Sequence, residues 1–321
     1  MAPEQSPKVS LGMPVYNGER FIEESLDSLL AQTFEDFEIV ICDNASTDRT
    51  EEICRAYSAK DDRVRYFRSR ANFGPIHNFN TVFRLSRGKY FKWCSSDDVC
   101  APNYLERAVE VLENDPSTVL VFTLAAAIDE EGRQKQFLPG QISDRDTPDS
   151  VSSPDPVTRF RKLIRHIWWV DAAFYGLMRS DVLLQTSLHL YQRSGDQLLV
   201  TELSLKGRFY EIPETLFFSR YHSNKTSIRQ KSMRQRAELI ENRPLGRGIS
   251  AWWKMIRGHP MRIVKYISFV SNSNLSRLQR VACYYEIVRS LGWWLRLSAY
   301  RLASRASGGF EWLRPDYPPR A

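Results

Sequence analysis

The chain has 321 residues, 42% of them hydrophobic, which predicts two structural units or one domain with a large appendage and allows a sizeable core. No stretch reaches the roughly 18 apolar residues that a membrane-spanning helix needs, and the polar N-terminus lacks a secretory signal pattern, so we expect a cytoplasmic protein. The net charge of +7 is uneven, because residues 229–321 hold 18 of the 45 basic residues and only 5 of the 38 acidic ones; this asymmetry predicts a boundary near residue 228.

Strands and helices alternate along the first 125 residues. Hydrophobic and β-branched runs predict strands at 9–15, 37–42, 64–67, 89–93 and from 119. Helices are predicted between them, the first with an N-cap at Asn17–Gly18 and the second with a capping box of Asp48 and Glu51. This alternation predicts an α/β fold whose mostly parallel sheet is covered by helices on both faces.

The alternation of predicted strands and helices is less regular after residue 128. Residues 129–158 are rich in Asp, Ser and Pro and predict a long loop, followed by a helical, aromatic segment at 159–169. A further strand is predicted at 215–218. The five cysteines contain no C-x-x-C pair, so we expect buried thiols rather than disulfides or a zinc site.

Three acidic side chains follow predicted strands of the sheet. Asp43 closes the second strand, and Asp97 and Asp98 come after the fourth. Ligands of such sheets bind outside the carboxyl ends of the strands, so these acids are expected on one edge. An Asp pair there is most often a solvated turn, but it also suits Mg²⁺ or Mn²⁺, which need only one or two carboxylates when substrate phosphates complete the shell.

Four segments in order carry a family resemblance: VSLGMPVYN, IVICDNASTD, RANFG and GKYFKWCSSDDV, which begin at residues 9, 39, 70 and 88. Together they resemble the nucleotide-binding half of the GT-A glycosyltransferases of family 2, strongly over residues 8–125 and more loosely to about 228. The resemblance implies a GT-A, Rossmann-like doubly wound mostly parallel sheet with a helical C-terminal extension. It implies a nucleotide-sugar-binding half at 1–125, an acceptor-binding and catalytic half at 126–228, and a basic, mainly helical region at 229–321.

The resemblance also implies roles for individual residues. A nucleotide pocket is expected from Pro14, Tyr16, Asp43, Asn72, Gly74, Asn78, Asp97 and Arg220. Within it, Asp43 would accept a hydrogen bond from a uracil N–H and Asp97 would lie near the ribose. Asp98, with His222 as an extra ligand, would hold Mn²⁺ or Mg²⁺. Ser96 stands where the D-x-D motif of the family often has its first Asp.

A general base is expected at Asp196, in a segment where family members carry an acidic residue ahead of a helix. Aspartate is ionised at neutral pH and can take a proton from an acceptor hydroxyl. The alternative is that Asp196 only caps the helix, with Glu202 as the next candidate base. Trp168 and Trp169 could stack on an acceptor sugar or belong to the core.

The implied reaction is transfer of one sugar, with inversion, from a nucleotide-diphosphate donor, most simply a UDP-sugar, to a glycan or lipid-linked glycan in polysaccharide or glycolipid synthesis. The Q-x-x-R-W signature of processive members is absent. A nucleotidyltransferase is the alternative enzyme, but the segment after the first strand lacks its Gly-rich loop with a Lys. A non-catalytic metal-binding module and a nucleotide-binding but inactive relative remain further alternatives.

The C-terminal segment has apolar residues at helical spacing, including Leu278, Val281, Tyr285 and Val288, beside several arginines. Basic amphipathic helices of this kind bind anionic membrane surfaces, so a peripheral position on the cytoplasmic face is one interpretation. A helical subdomain docked on the core, with solvated arginines, is the other. Nucleic-acid binding is not expected, because no nucleic-acid module is recognisable.

Overall fold

The computed structural model describes residues 6–135, 151–165, 170–189, 194–222, 238 and 258–306. These residues form one eight-stranded sheet with helices packed on both of its faces. The strands are β1 Val9–Val15, β2 Phe37–Asp43, β3 Val64–Arg68, β4 Tyr90–Trp93, β5 Val99–Cys100, β6 Thr118–Ile128, β7 Leu177–Arg179 and β8 Arg208–Arg220.

The sheet has the order β3-β2-β1-β4-β7-β6-β8-β5. The first four strands in this order run parallel, as the alternation of elements predicted. β7 is antiparallel to both of its neighbours, β6 and β8 are parallel, and β5 is antiparallel to β8. The predicted mostly parallel α/β sheet is confirmed, and the antiparallel strands β5 and β7 were not foreseen.

The helices are α1 Ile22–Leu30, α2 Thr50–Lys60, α3 Pro75–Leu85, α4 Tyr104–Asn114, α5 Pro156–Arg165, α6 Val170–Phe174, α7 Ser180–Leu183, α8 Gly195–Ser204, α9 Gly258–Ser271 and α10 Arg277–Ala306. The predicted helical C-terminal part is therefore present in α9 and α10. Among the described residues, every helix is too short or too polar to pass through a lipid bilayer.

Three hydrophobic clusters hold these layers together. One covers a face of the sheet with α1 and α4, and a second covers the other face with α3 and α6. The third joins the C-terminal helices to α5 and α8 through side chains such as Phe160, Leu198, Tyr266 and Phe269. The described cysteines are buried and free, as expected.

The register between neighbouring strands determines which loops lie together at one edge of the sheet. Val15 pairs with Asp43 and Asp43 with Arg68, so the carboxyl ends of β1, β2 and β3 are level. β4 pairs with β1 up to Gly12, and the loop from β4 to β5 then carries Asp97 and Asp98. The loops after β1, β2 and β4 thus leave the sheet at the same edge.

Both predicted helix caps differ from the structure. α1 begins only after Phe21, and Asn17 lies in the preceding loop with φ 53°. α2 begins at Thr50, and the residue at its N-cap position, Arg49, makes no side-chain cap. The Asp48 carboxylate accepts hydrogen bonds from the backbone N–H and hydroxyl of Thr50 and from the N–H of Glu19. Asp48 therefore joins two loops instead of forming a capping box.

The second half departs further from the predicted pattern. The described start of the predicted loop, residues 129–135, forms a turn in which Ile128 pairs with Gln134, and α5 begins at Pro156, before the predicted end of the loop at residue 158. The predicted strand at 215–218 is the end of the 13-residue strand β8. Residues 136–150, Trp168 and Trp169 lie outside the described residues.

Candidate active site

The loops after β1 and β2 are fastened to each other. The N–H of Asn17 donates to the Ser46 hydroxyl at 2.9 Å, and the N–H of Thr47 donates to the Asn17 side-chain oxygen at 2.8 Å. Asn tolerates the left-handed backbone at this position better than most residues. Tyr16, which precedes the turn, is 48% exposed and available to a ligand. Pro14 lies two residues before Tyr16 and is partly buried in β1.

Asp43 is fully buried at the end of β2 and is held by three donors. One carboxylate oxygen accepts the N–H of Ser46 at 2.8 Å, and the other accepts the Tyr66 hydroxyl at 2.8 Å and the Arg68 guanidinium at 2.6 Å. Burial and the bond to this carboxylate raise the pKa of Tyr66, so Tyr66 remains a donor. An ionised carboxylate has about four acceptor positions, which leaves about one for a ligand N–H.

Asn72 and Gly74 shape the turn that leads into α3. The Asn72 side-chain oxygen accepts the Asn44 side-chain amide at 2.8 Å and the Gly74 N–H at 2.9 Å. Gly74 has φ 88°, a conformation that L side chains avoid, and it directly precedes Pro75 at the start of the helix. The turn therefore needs this glycine.

Asn78 lies in the first turns of α3 and bridges two strand ends. Its amide nitrogen donates to the carbonyl of Cys42 at 2.8 Å and to that of Val15 at 3.3 Å. Its side-chain oxygen is buried and has no hydrogen-bond partner among the described residues. Leaving such an acceptor unpaired costs about 1–3 kcal/mol, so this atom is a candidate contact for a ligand donor.

Asp97 and His222 form a polar pair between the β4–β5 loop and the end of β8. The Oδ2 atom of Asp97 is 3.0 Å from Nε2 of His222, and its Oδ1 atom accepts the Ser95 hydroxyl. The Phe21 ring lies 4.8 Å from the imidazole, centroid to centroid. The Nδ1 atom of His222 is buried and lacks a partner within the described part of the chain.

Arg220 fixes the loop that carries the acid pair. Its backbone N–H donates to the buried carboxylate of Asp98 at 2.9 Å. Its guanidinium is 0% exposed, donates to the carbonyls of Asp97 at 2.9 Å and Asp129 at 3.0 Å, and lies 2.6 Å from the Glu24 carboxylate. Arg220 thus contacts protein groups in this structure, and its predicted contact with a nucleotide stays a prediction.

The donor types in this corner fit Mn²⁺ or Mg²⁺. The β4–β5 loop provides two carboxylates, those of Asp97 and Asp98. The chain just after β8 provides the unpaired Nδ1 atom of His222. Among the described residues, no three His, Cys, Asp or Glu side chains come together as a group that could hold a metal ion by themselves. A closed cage is not required where substrate phosphates supply the remaining ligands.

The predicted base, Asp196, lies in the first turn of α8 and is partly buried. The residue that precedes the helix is Ser194, with φ 62°, and no side chain caps the helix there. Glu202 lies on the same helix, where it accepts the N–H of Ser187 at 2.9 Å, and burial raises its pKa. Glu202 lines a separate cavity of about 260 Å³ between α8 and α9, a location that sequence reasoning did not foresee.

Comparison with known proteins agrees with this geometry. The profile of "Glycosyl transferase family 2" matches residues 10–183, more than half of the chain. The chain belongs to glycosyltransferase family 2. The match covers the strands and loops that carry Asp43, Asp97 and Asp98.

Several relatives resemble this family 2 glycosyltransferase. An uncharacterized glycosyltransferase of Haemophilus influenzae is 26% identical over 303 residues, which cover 90% of this chain and 88% of the relative. Chondroitin synthase of Escherichia coli is 38% identical over 126 residues, or 39% of this chain and 18% of the synthase. A Rickettsia felis relative, also an uncharacterized glycosyltransferase, is 35% identical over 45% of this chain, and the match covers 23% of its own length.

Solved structures share the fold. Staphylococcus aureus TarS 1–349, solved with UDP-GlcNAc, has a TM-score of 0.61 at 18% identity, over 88% of this chain and 72% of TarS 1–349. The mannosyltransferase PcManGT of Pyrobaculum calidifontis, solved with GDP-Man and Mn²⁺, has a TM-score of 0.51 at 15% identity, over 90% and 88% of the two chains. The expected GT-A-like fold is confirmed by these similarities.

Sequence reasoning missed the residues that hold the predicted ones in place. Tyr66 and Arg68 were not considered, although residues two positions apart on a strand face the same side of the sheet, and both side chains donate to Asp43. The bonds that Ser46 and Asn44 make to Asp43 and Asn72 were not predicted. The buried guanidinium of Arg220 gave no signal in the sequence, because the elements it joins are far apart in the chain.

Proposed function

We propose that this family 2 glycosyltransferase moves one sugar from a UDP-sugar to an acceptor hydroxyl, with inversion and without processive elongation. The observation that carries the proposal is the corner of Asp97, Asp98 and His222, held by Arg220 beside the loops of β1 and β2. Acidic and imidazole groups at the carboxyl edge of a parallel sheet suit a nucleoside diphosphate with a divalent cation.

The nucleotide would lie across the ends of β1 and β2. Tyr16 is exposed where a base ring could pack, and the partly buried Pro14 would line the same pocket. Asp43 would use its remaining acceptor position for the base N–H, and the unpaired oxygen of Asn78 would accept a second donor. Asn72 and Gly74 would border the pocket, and Asp97 would face the ribose. A uracil ring, which presents one such N–H, fits these acceptors, and TarS is a structural relative solved with UDP-GlcNAc.

Mn²⁺ or Mg²⁺ would be held by Asp98 and His222, together with diphosphate oxygens of the donor. When bound, the cation acts as a Lewis acid that compensates the charge on the departing diphosphate. Arg220 keeps Asp98 in place through its backbone N–H, so the protein fixes the acid before any ligand arrives. Its guanidinium holds the loop of the acid pair through the carbonyl of Asp97, and its direct contact with the nucleotide stays a prediction.

Asp196 would act as the general base. Its carboxylate takes the proton of the acceptor hydroxyl while the hydroxyl oxygen attacks the anomeric carbon from the side opposite the diphosphate. The new carbon–oxygen bond forms as the bond to the diphosphate oxygen breaks, and UDP leaves with that electron pair. Attack from the opposite side inverts the anomeric configuration.

The acceptor would be a glycan or a lipid-linked glycan, built in the cytoplasm during polysaccharide or glycolipid synthesis. The segment 126–228, which contains α5 to α8 and β8, would supply most of the acceptor site, while 1–125 binds the donor. Chondroitin synthase, a partial relative, is named for making a polysaccharide. Nucleic acid is not a proposed partner.

The test measures UDP release from a panel of UDP-sugars with Mn²⁺ and mixed glycan acceptors, and product stereochemistry by NMR. The wild type should release UDP and form a product of inverted configuration. Asp196→Asn should lose turnover and retain UDP binding, while Asp62→Asn, which changes an exposed acid in the α2–β3 turn, should behave as the wild type. Pyrophosphate release would indicate a nucleotidyltransferase, and metal-dependent UDP binding without any turnover would indicate an inactive relative.

A further inference from the structure

The C-terminal helices expose a row of large apolar side chains. We call these residues the outer face: Met261, Val264 and Ile267 of α9, and Leu278, Val281, Tyr285 and Val288 of α10. Their exposed fractions run from 40% for Met261 to 84% for Leu278. The spacing of three or four residues places each set on one side of its helix.

The other side of each helix is already used for packing. Tyr266, Phe269 and Val270 of α9 and Cys283 and Ile287 of α10 are buried in the cluster that includes α5 and α8. The hydroxyls of Ser271 and Tyr284 also lie 2.9 Å apart and link the two helices. The outer face therefore lies on the sides of α9 and α10 that do not pack against α5 and α8. Large apolar side chains exposed along one side of a helix, beyond scattered single residues, often mark an interaction site.

The segment that carries the outer face is almost entirely basic in charge. Residues 258–306 contain one acidic residue, Glu286, which is 4% exposed and paired with Arg161 at 2.8 Å and Arg165 at 2.5 Å. The same stretch contains eight basic residues: Arg262, Lys265, Arg277, Arg280, Arg289, Arg296, Arg301 and Arg305. Of these, Arg277 and Arg289 are exposed beside the apolar row.

We propose that the outer face binds the surface of an anionic lipid bilayer, with α9 and α10 lying along the membrane plane. The apolar side chains would enter the boundary between headgroups and acyl chains, and the arginines would contact lipid phosphates and other acidic headgroups. A second copy of this chain fits less well, because pairing two outer faces would bring arginines together without acidic partners. The proposal concerns a surface and stands independently of the sugar-transfer reaction.

Vesicle co-sedimentation tests the proposal with the full chain. The wild type should bind vesicles of phosphatidylcholine with about one third phosphatidylglycerol, should release them at high salt, and should bind pure phosphatidylcholine at least about ten-fold more weakly. Val281→Glu combined with Val288→Glu should reduce binding by more than about ten-fold, because two apolar side chains become charged. Leu184→Glu is the matched control, since Leu184 is 68% exposed but lies at the end of α7.

The companion measurement is mass by light scattering, with UDP release as a check that each variant is folded. Arg289→Ser should weaken binding to the anionic vesicles by about five-fold and leave the mass unchanged. Equal binding to both kinds of vesicle, or equal binding by the double variant and the wild type, would overturn the proposal. So would a wild-type dimer that the double variant alone converts to monomer, because the outer face would then be an interface between copies.

Discussion

The Nε2 atom of His222 lies 3.0 Å from the Oδ2 atom of Asp97, across 125 positions of the chain. The contact joins the residues after β8 to the loop between β4 and β5. The end of β8 is held to the same loop by Arg220, whose N–H bonds to Asp98. The position of the acid pair therefore depends on a strand from the second half of the chain, and the two halves form one site.

His222→Ala should raise the KM for the nucleotide-sugar by about ten-fold or more, because it removes a proposed metal ligand and the partner of Asp97, and losing such a group at a metal site commonly costs that much. The measurement is a double-mutant cycle with Asp97→Asn in the UDP-release assay. A coupling of about 0.5–3 kcal/mol is expected for two side chains in contact. Strictly additive effects of the two substitutions would show that the contact has no role in donor binding.

Arg220→Met should lower the free energy of unfolding by about 2–4 kcal/mol, because the carbonyls of Asp97 and Asp129 lose their buried donor. Urea unfolding measures this loss. Arg133→Met is the matched control, since the Arg133 side chain is 73% exposed and its ion pair with Asp129 should contribute less than about 1 kcal/mol. Equal losses in the two variants would contradict the role given to Arg220.

Gly74→Ala should destabilise the protein by about 1–2 kcal/mol and weaken UDP binding, because alanine at φ 88° strains the turn that carries Asn72. Gly132→Ala introduces a similar strain, at φ 77°, in the turn after β6. The measurement is the thermal unfolding temperature of each variant with and without UDP. Gly132→Ala should keep the stabilisation by UDP, and a similar loss of that stabilisation in both variants would argue against a pocket at Gly74.

Glu202 should make stability depend on pH. Burial raises its pKa, so the folded protein keeps this proton to higher pH than the unfolded chain does, and stability falls as pH rises from the ordinary glutamate range, about 4.3, through the raised value. Glu202→Gln keeps an acceptor for Ser187 and removes the titration, so its unfolding free energy should decline less over that range. Glu35→Gln, at an exposed site, should follow the wild type.

The sequence predicted the first half of the fold well for a physical reason. Each buried strand there is a short apolar run between helices with one apolar face, so periodicity alone identifies both. β1 is at the predicted residues, and β2 and β3 differ from their predictions by one residue at an end. The caps were wrong because Asn17 and Asp48 bond across two loops, a tertiary contact that local spacing does not reveal.

The candidate site was predicted in part. The edge that carries Asp43, Asp97 and Asp98 follows from the rule for parallel sheets. The environment of each residue does not follow from it, because Arg68 reaches Asp43 through strand register and Arg220 reaches Asp97 through the pairing of β5 with β8. β7 was not predicted, because a strand of three residues is too short to show the alternation of apolar and polar residues. The location of Glu202 beside α9 was not predicted either, because it depends on how the helices pack.

The most direct test of the central claim is calorimetric titration of UDP in the presence and absence of Mn²⁺. The wild type should bind UDP at least about ten-fold more tightly with Mn²⁺, Asp98→Asn should lose this difference, and Asp62→Asn should keep it. Asp98 would then be a ligand of the metal that accompanies the nucleotide. Metal-dependent binding of UDP that is unchanged in Asp98→Asn would contradict the account.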